Sequence, residues 1–254
     1  MRLQGKVAIV TGGGSGFGAG IVRKFVAEGA QVLVADIQLA AAQTVAAEVG
    51  PQALALRVDV ANAADVKQMV DTAIERFGRL DILINNAGVT HLPQALEDVS
   101  EADFDRIVAV NMKAIYYAMR EAVPRLKANA PGHRGIRGVV LNMASTAGVS
   151  PRPRLGWYNA SKGWVITATR ANAVELAPHG IRVVALNPVA GETPLLSSFM
   201  GQDTPEVRAK FLSSIPLGRF SQPDDLANAA CYLCSDEASM VTGVCMEVDG
   251  GRCI

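Results

Sequence analysis

The chain has 254 residues, half of them apolar, which is enough for one substantial core near the size at which chains begin to divide into domains. Its 24 basic and 24 acidic side chains cancel and no long run of one sign occurs, so there is no field to gather nucleic acid or an anionic membrane. The opening MRLQGKVAIVTG ends its apolar run at a Gly-rich turn, far short of a secretory or membrane-spanning segment, and a cytoplasmic protein is expected.

Along the chain, short apolar runs alternate with longer helical stretches, beginning KVAIVT, FGAGIVRKFVAEG, QVLVAD and LAAAQTVAAEVG. That rhythm predicts βαβ units and an α/β fold: a doubly wound, Rossmann-like parallel sheet of about seven strands with helices on both faces. The strands fall at 7–11, 31–36, 53–58, 81–85, 138–143, 181–187 and 244–248, and their lack of strict alternation fits strands buried on both sides. Asn62 with Asp65, and Ser100 with Asp103, have the spacing of helix N-terminal caps. Residues 188–222 break the rhythm with prolines, serines and a short amphipathic piece, too long for an ordinary connection, and read as a lid on a single domain spanning 1–254. Cys231 and Cys234 form a CxxC, the spacing of a redox pair or half a zinc site. With no second CxxC and no histidine nearby they read better as two small residues of an amphipathic helix, and no metal site is expected.

TGGGSGFG at 11–18 lies between the first strand and the first helix. Glycines there let the backbone turn sharply and approach a pyrophosphate, which the free N–H groups and positive end of the helix favour. Gly12, Ser15, Gly16, Phe17 and Gly18 are the candidate contacts. Asp36 ends the second strand, placed to accept hydrogen bonds from both ribose hydroxyls of a dinucleotide; otherwise it is a solvated strand end. A 2′-phosphate would meet its charge, and Ile37 and Gln38 supply no compensating cation, so NAD is favoured over NADP. Asp59 and Val60, closing the third strand, are placed to reach the adenine edge.

YNASK at 158–162 sets Tyr158 and Lys162 four residues apart, on one face of a helix. A neighbouring ammonium favours the phenolate, so the tyrosine pKa, near 10 when unperturbed, is expected to fall toward the working pH. Taken with TGGGSGFG, DV at 59–60, NNAG at 85–88, Asn111 in VNMKA, Ser145 in NMAS, NP at 187–188 with Thr193, and VDGG at 248–251, this chain resembles the short-chain dehydrogenase/reductase family over residues 5–251. The likeness is to the branch of about 250 residues with an Asn-Ser-Tyr-Lys tetrad.

That resemblance implies that Tyr158 is the acid/base and that Ser145 hydrogen-bonds the substrate oxygen; otherwise Ser145 is a strand-end serine capping a turn. Lys162 would bind the nicotinamide ribose and lower the tyrosine pKa. Asn111 would hold, through a helix irregularity, a water linking Lys162 to solvent; otherwise it is a mid-helix polar residue. Asn86, Ala87 and Gly88 would line the adenosine side, and Pro188, Gly191 and Thr193 the carboxamide side. The family's usual glycine after that proline is replaced by Val189, with a glycine instead at Gly191.

The resemblance further implies a homotetramer, with which the AIYYAM and GWVITA segments are compatible, and substrate selection by segments 89–95, 146–157 and 189–215. Within them, Leu195, Leu196, Phe199, Met200, Phe211 and Leu212 either form an apolar lid or pack it down. Arg152 and Arg154 either recognise a carboxylate, sulfonate or phosphate at the pocket mouth or pair with surface acids. His91, His133 and His179 read as loop or surface residues. The activity implied is NAD-dependent hydride transfer to or from a secondary alcohol or ketone of polyol, sugar-like or hydroxy-acid type. The alternatives are a 3-oxoacyl-thioester reductase using NADPH and a non-catalytic dinucleotide sensor.

Overall fold

Runs of Val, Ile, Leu and Ala become central strands because both of their faces are covered: β1 (Val7–Thr11) and β6 (Ile181–Pro188) are buried at every position. In the computed structural model, which describes residues 1–254, they join β2 (Gln31–Asp36), β3 (Ala53–Arg57), β4 (Ile82–Asn85), β5 (Gly138–Met143) and β7 (Cys245–Val248). The order is β3-β2-β1-β4-β5-β6-β7, with every neighbouring pair parallel. Each strand end lies within one residue of its expected position. The chain therefore winds outward in opposite directions from β1 and β4, and the connections leaving their carboxyl ends part to leave a crevice.

Alternate side chains of each strand enter two cores. Ala8 and Val10 meet helices α1 (Gly16–Ala27), α2 (Leu39–Val49) and α9 (Pro223–Cys234), while Ile9 meets α3 (Ala63–Phe77), α5 (Ala114–Ala128) and α6 (Gly156–Leu176). Cys231 and Cys234 are free thiols buried in the first of these cores, as the amphipathic reading expected. The two caps form as expected: Asn62 Oδ1 accepts the N–H groups of Ala64 and Asp65, and Ser100 Oγ accepts that of Asp103.

Two local features place the catalytic candidates. The short helix α4 (Glu101–Ile107) runs into α5 through a π-helical turn, Val108–Lys113, in which the Ala114 N–H bonds the Ala109 carbonyl five residues back. Asn111 lies in that turn and is buried. Across the sheet, Asn85 Nδ2 donates to Asn142 Oδ1 (2.8 Å), Asn142 Nδ2 donates to Thr169 Oγ1 (2.9 Å), and Thr169 donates to the Val165 carbonyl (2.8 Å). This buried polar chain ties β4 and β5 to α6 at a fixed height. The lid segment folds as α7 (Leu196–Met200) and α8 (Pro205–Leu212), anchored by Val189, Leu196, Met200, Ile215 and Phe220. No helix is long and apolar enough to cross a membrane.

Replacing Asn142 with Leu strands the Asn85 amide in a dry interior, and the expected loss of stability is about 1–3 kcal/mol. Chemical denaturation of wild type and variant measures it. A loss below about 0.5 kcal/mol, the range of ordinary surface changes, would remove the chain's structural role.

Candidate active site

The crevice is assembled from the carboxyl ends of the strands. Thr11 Oγ1 accepts the N–H groups of Asn86 (3.0 Å) and Ala87 (3.1 Å), and Asn86 Nδ2 donates to the carbonyls of Thr11 (2.8 Å) and Gly12 (3.1 Å). The loops after β1 and β4 are thus stitched into one wall. Gly12 and Gly16 adopt φ of 63° and 51°, a left-handed region that side chains disfavour. Ser15 caps α1 without a side-chain hydrogen bond and no acidic residue occupies the first turn, so the N–H groups and positive pole of that helix face the crevice unopposed.

Asp36 lies at the far end. Its Oδ2 accepts the Gly14 N–H and its Oδ1 the Gln38 N–H, both at 2.9 Å, and it has no basic partner. The cleft, about 420 Å³, is lined by Gly12, Ser15, Gly16, Phe17, Asp36, Ile37, Asp59, Val60, Asn86, Ala87, Gly88, Pro188, Gly191 and Thr193, together with Ser145, Tyr158 and Lys162 at its other end. All the sequence candidates meet there except Gly18 and Asn111.

Gly18 serves packing instead. A Cβ on it would fall 2.1 Å from the Gly12 carbonyl oxygen and 2.6 Å from Asn86 Nδ2, so its hydrogen is what lets α1 start so close to β1. The exchange of glycine between positions 189 and 191 also has a steric basis. Val189 is buried in the lid's core, whereas a Cβ at Gly191 would lie 2.2 Å from the Phe17 ring. Thr193 keeps its place against the phosphate-loop candidate Gly16, 3.1 Å from where a Cβ there would stand.

Tyr158 and Lys162 share the buried face of α6, each only 5% exposed. Lys162 Nζ donates to the Met143 carbonyl at the end of β5 (2.8 Å) and lies 5.8 Å from the Tyr158 ring centre. Ser145 Oγ accepts the Ala147 N–H (3.0 Å), capping the turn at Thr146–Gly148, and lies close enough to the Tyr158 hydroxyl to pull its pKa down. The turn-capping alternative for this serine is the one the structure shows.

The expected lowering of the tyrosine pKa is reversed in this structure. Burial pushes the Tyr158 hydroxyl up to about 12, against the opposing pull of Ser145, and burial brings the Lys162 ammonium down to about 8. Sequence spacing revealed the neighbouring amine but not the desolvation that raises the phenol.

Asn111 does sit in a helix irregularity, but its side chain is engaged with protein. Oδ1 accepts the Val89 N–H (2.9 Å), while Nδ2 donates to the Val89 carbonyl (2.9 Å) and to Ser161 Oγ (3.0 Å). It clamps the segment after β4 to α6, with Gly88 lying between Asn111 Oδ1 and Lys162 Nζ.

The remaining candidates divide. Leu195, Phe199 and Phe211 face the cleft, with Phe199 set edge-on to Tyr158 at 5.0 Å, whereas Leu196 and Met200 are buried and, with Leu212, pack the lid down. Arg152 lines the cleft; Arg154, at φ 67°, is turned out into solvent. His133 and His179 are exposed, but His91 is a buried loop residue whose Nδ1 faces the Leu92 carbonyl at 2.7 Å. Thr11 and Leu155 were not singled out as individual residues, although Thr11 opens TGGGSGFG and Leu155 lies in the 146–157 segment.

A family model described as enoyl-(acyl carrier protein) reductase matches residues 12–252. A 4-formylbenzenesulfonate dehydrogenase of Comamonas testosteroni is 48% identical over 256 residues, covering 99% of each chain. The chain belongs to the short-chain dehydrogenase/reductase family. Among solved structures of this family, a 3-ketoacyl-(acyl-carrier-protein) reductase from Brucella melitensis complexed with NADH superposes with a TM-score of 0.93 at 52% identity, covering 99% of this chain and all of that one. A 7α-hydroxysteroid dehydrogenase complexed with NADH and 7-oxo glycochenodeoxycholic acid gives 0.91 at 37% identity, over 98% of this chain and 95% of that one.

The displaced lysine gives this dehydrogenase/reductase site a pH signature. Between about 8 and the usual 10.5 the folded, nucleotide-free protein has released the Lys162 proton while the unfolded chain still holds it, so this group makes stability rise with pH across that window. Thermal unfolding at intervals from pH 7.5 to 10 should show wild type gaining on Lys162→Met as pH increases. Parallel curves would mean that the amine is not desolvated.

Proposed function

We infer that the protein is an NAD(H)-dependent oxidoreductase that interconverts a CH–OH group and a carbonyl, with Tyr158 as its acid/base. The observation that carries this reading is the pairing of a buried phenol and a buried amine at one end of a crevice whose other end presents a lone carboxylate, Asp36, beside an uncapped helix N-terminus. The residues present fit a dinucleotide. Gly12, Ser15, Gly16 and Phe17 would hold the pyrophosphate, Asp36 and Ile37 the adenosine ribose, and Asp59 and Val60 the adenine edge. Asn86, Ala87 and Gly88 would border the adenosine side, with Lys162 on the second ribose and Pro188, Gly191 and Thr193 at the carboxamide. When bound, nicotinamide supplies or accepts the hydride.

This chain's own residues handle the proton. In reduction the Tyr158 hydroxyl gives its proton to the substrate oxygen, and in oxidation the phenolate takes the hydroxyl proton. Ser145, beside Tyr158 in the cleft lining, offers its hydroxyl to the same oxygen and holds it in line. Lys162, in its protonated form, steadies the phenolate. Asn111 positions α6 and the segment after β4, and we assign it the inner end of a water-mediated route by which Lys162 is reprotonated. The apolar faces of Leu155, Phe199 and Phe211 exclude bulk water from this exchange.

The proposed substrate is a secondary alcohol or ketone, of polyol, sugar-like or hydroxy-acid type. A 3-oxoacyl-thioester reductase using NADPH is the second reading. The Brucella relative acts on that substrate class, but Asp36 without a nearby cation repels a 2′-phosphate. A non-catalytic sensor would have no use for a matched phenol and amine. We further propose a single catalytic domain with 188–222 as its lid, a cytoplasmic setting, and a homotetramer formed through α5 and α6. Support for the last is the exposure of Tyr116, Trp164 and Val174.

Tyr158→Phe should lower kcat by about 10²–10⁴-fold, the usual worth of general acid/base catalysis, with NADH affinity held within a few-fold. Near-normal turnover in the variant would dismiss the assignment. Asp36→Asn removes the charge that selects the ribose, and the ratio of kcat/KM for NADH over NADPH should fall about 10- to 100-fold. An unchanged ratio would move cofactor selection elsewhere.

A further inference from the structure

Arg152 is the one arginine that lines the cleft, and its surroundings hold no acid for it. Several other arginines face carboxylates: Arg23 meets Glu48, Arg219 meets Asp225, and Arg208 meets both Asp203 and Glu192. Acids of the lid and of the β7 end of the sheet are already engaged. Glu192, on the lid, belongs to Arg208; Glu247 accepts from Asn187 Nδ2; and the two oxygens of Asp249 accept the backbone N–H groups of Gly251 and Cys253. Arg152 itself has only Ser214 Oγ, at 3.5 Å, the outer limit of a hydrogen bond, and lies with its guanidinium 4.4 Å from the centre of the Phe211 ring.

A second cation stands behind it. Arg252, beyond β7, donates from Nη1 to Ser150 Oγ (3.0 Å), two residues before Arg152, and its Nε is buried with no partner. Partial burial and the charge of Arg252 together depress the Arg152 pKa below the usual guanidinium value. Two neighbouring, partly buried guanidinium groups without a salt-bridge partner repel each other, and an oxyanion brought between them relieves that repulsion.

The backbone supports a site rather than a stray side chain. Asn159, one residue after Tyr158, donates from Nδ2 to the Arg152 carbonyl (2.7 Å) and so fixes the arginine relative to the catalytic helix. Between Arg152 and Tyr158 the cleft is walled by Leu155, Phe199 and Phe211, which offer apolar surface and aromatic edges but no polar group for a sugar's hydroxyls.

We propose that Arg152, reinforced by Arg252, binds a carboxylate or sulfonate carried by the substrate at the end of a flat, apolar body opposite the carbon that reacts at Tyr158. The inference rests on the assignment of the reaction to Tyr158 and refines its substrate: an anionic aryl or similarly rigid alcohol or carbonyl compound in place of a polyol. Arg154, which shares the local sequence but points into solvent, has no part in it.

The test uses matched pairs of carbonyl compounds that differ only in charge: 4-formylbenzoate against 4-formylbenzamide, and 4-acetylbenzoate against 4-acetylbenzamide, each reduced with NADH. Wild type should prefer the anionic member. Arg152→Ala should cut the anionic-to-neutral ratio of kcat/KM about 10- to 100-fold, chiefly through KM. Arg152→Lys should restore part of it, as a point charge without the guanidinium fork, Arg252→Ala should lower it several-fold, and Arg154→Ala should leave it unchanged. Absence of an anionic preference in wild type, or an equal fall for both members in Arg152→Ala, would overturn the proposal. Loss of activity in Tyr158→Phe toward whichever carbonyl compound wild type reduces would leave the reaction assignment standing in that event.

Discussion

The organisation of this protein depends on keeping a phenol and an amine out of water next to each other. Tyr158 and Lys162 are both buried on α6, and the amine is retained by a main-chain carbonyl, that of Met143, rather than by a carboxylate. A carboxylate would fix the lysine as a permanent ion pair; a carbonyl holds it while leaving its charge responsive to what enters the cleft. Around it, the Asn85–Asn142–Thr169 chain sets the height of α6 over the sheet, and Asn111, in the π turn, pins α6 to the segment after β4. These bonds are buried and fully partnered, the condition under which polar networks hold one geometry instead of softening the core.

The same constraint explains the electrostatic state of the site. Burial sets both groups: the phenol holds its proton more tightly than in water and the amine less tightly. The protein belongs to a family of dehydrogenases and reductases and is an NAD(H)-dependent oxidoreductase acting on CH–OH and carbonyl groups. For such an enzyme, burial guards the phenol's proton, and a charged nucleotide entering the cleft would ease its release.

Much of this was legible in the residues because the features concerned are local or periodic. Doubly buried strands write continuous apolar runs, so all seven strands were placed within a residue of their ends. A glycine loop between strand and helix, an acid ending the second strand, and Tyr158 and Lys162 one helical turn apart likewise survive translation into one dimension. What escaped depends on three-dimensional crowding. Gly18 looks like a loop contact but is a packing hydrogen against Gly12, and the move of glycine from 189 to 191 makes sense only once the Phe17 ring is seen against it. Arg152 and Arg154 are indistinguishable as letters; a positive φ at Arg154 turns one outward and leaves the other in the cleft. The lid's apolar residues likewise split by direction, Phe199 toward Tyr158 and Leu196 toward the lid's own core, in a helix too short to show a periodic face.

Ionisation of Tyr158 itself tests the account most directly. Phenolate absorbance, followed by ultraviolet difference spectroscopy between wild type and Tyr158→Phe through an alkaline titration, isolates this one group from the chain's other tyrosines. Without nucleotide, its ionisation should stay beyond the pH near 10 at which a free phenol titrates, and saturation with NAD+ should bring it down by more than a pH unit. A phenolate that appears at the free-phenol pH in the empty protein, or one that NAD+ does not move, would contradict the claim that burial guards the proton until the cofactor is in place.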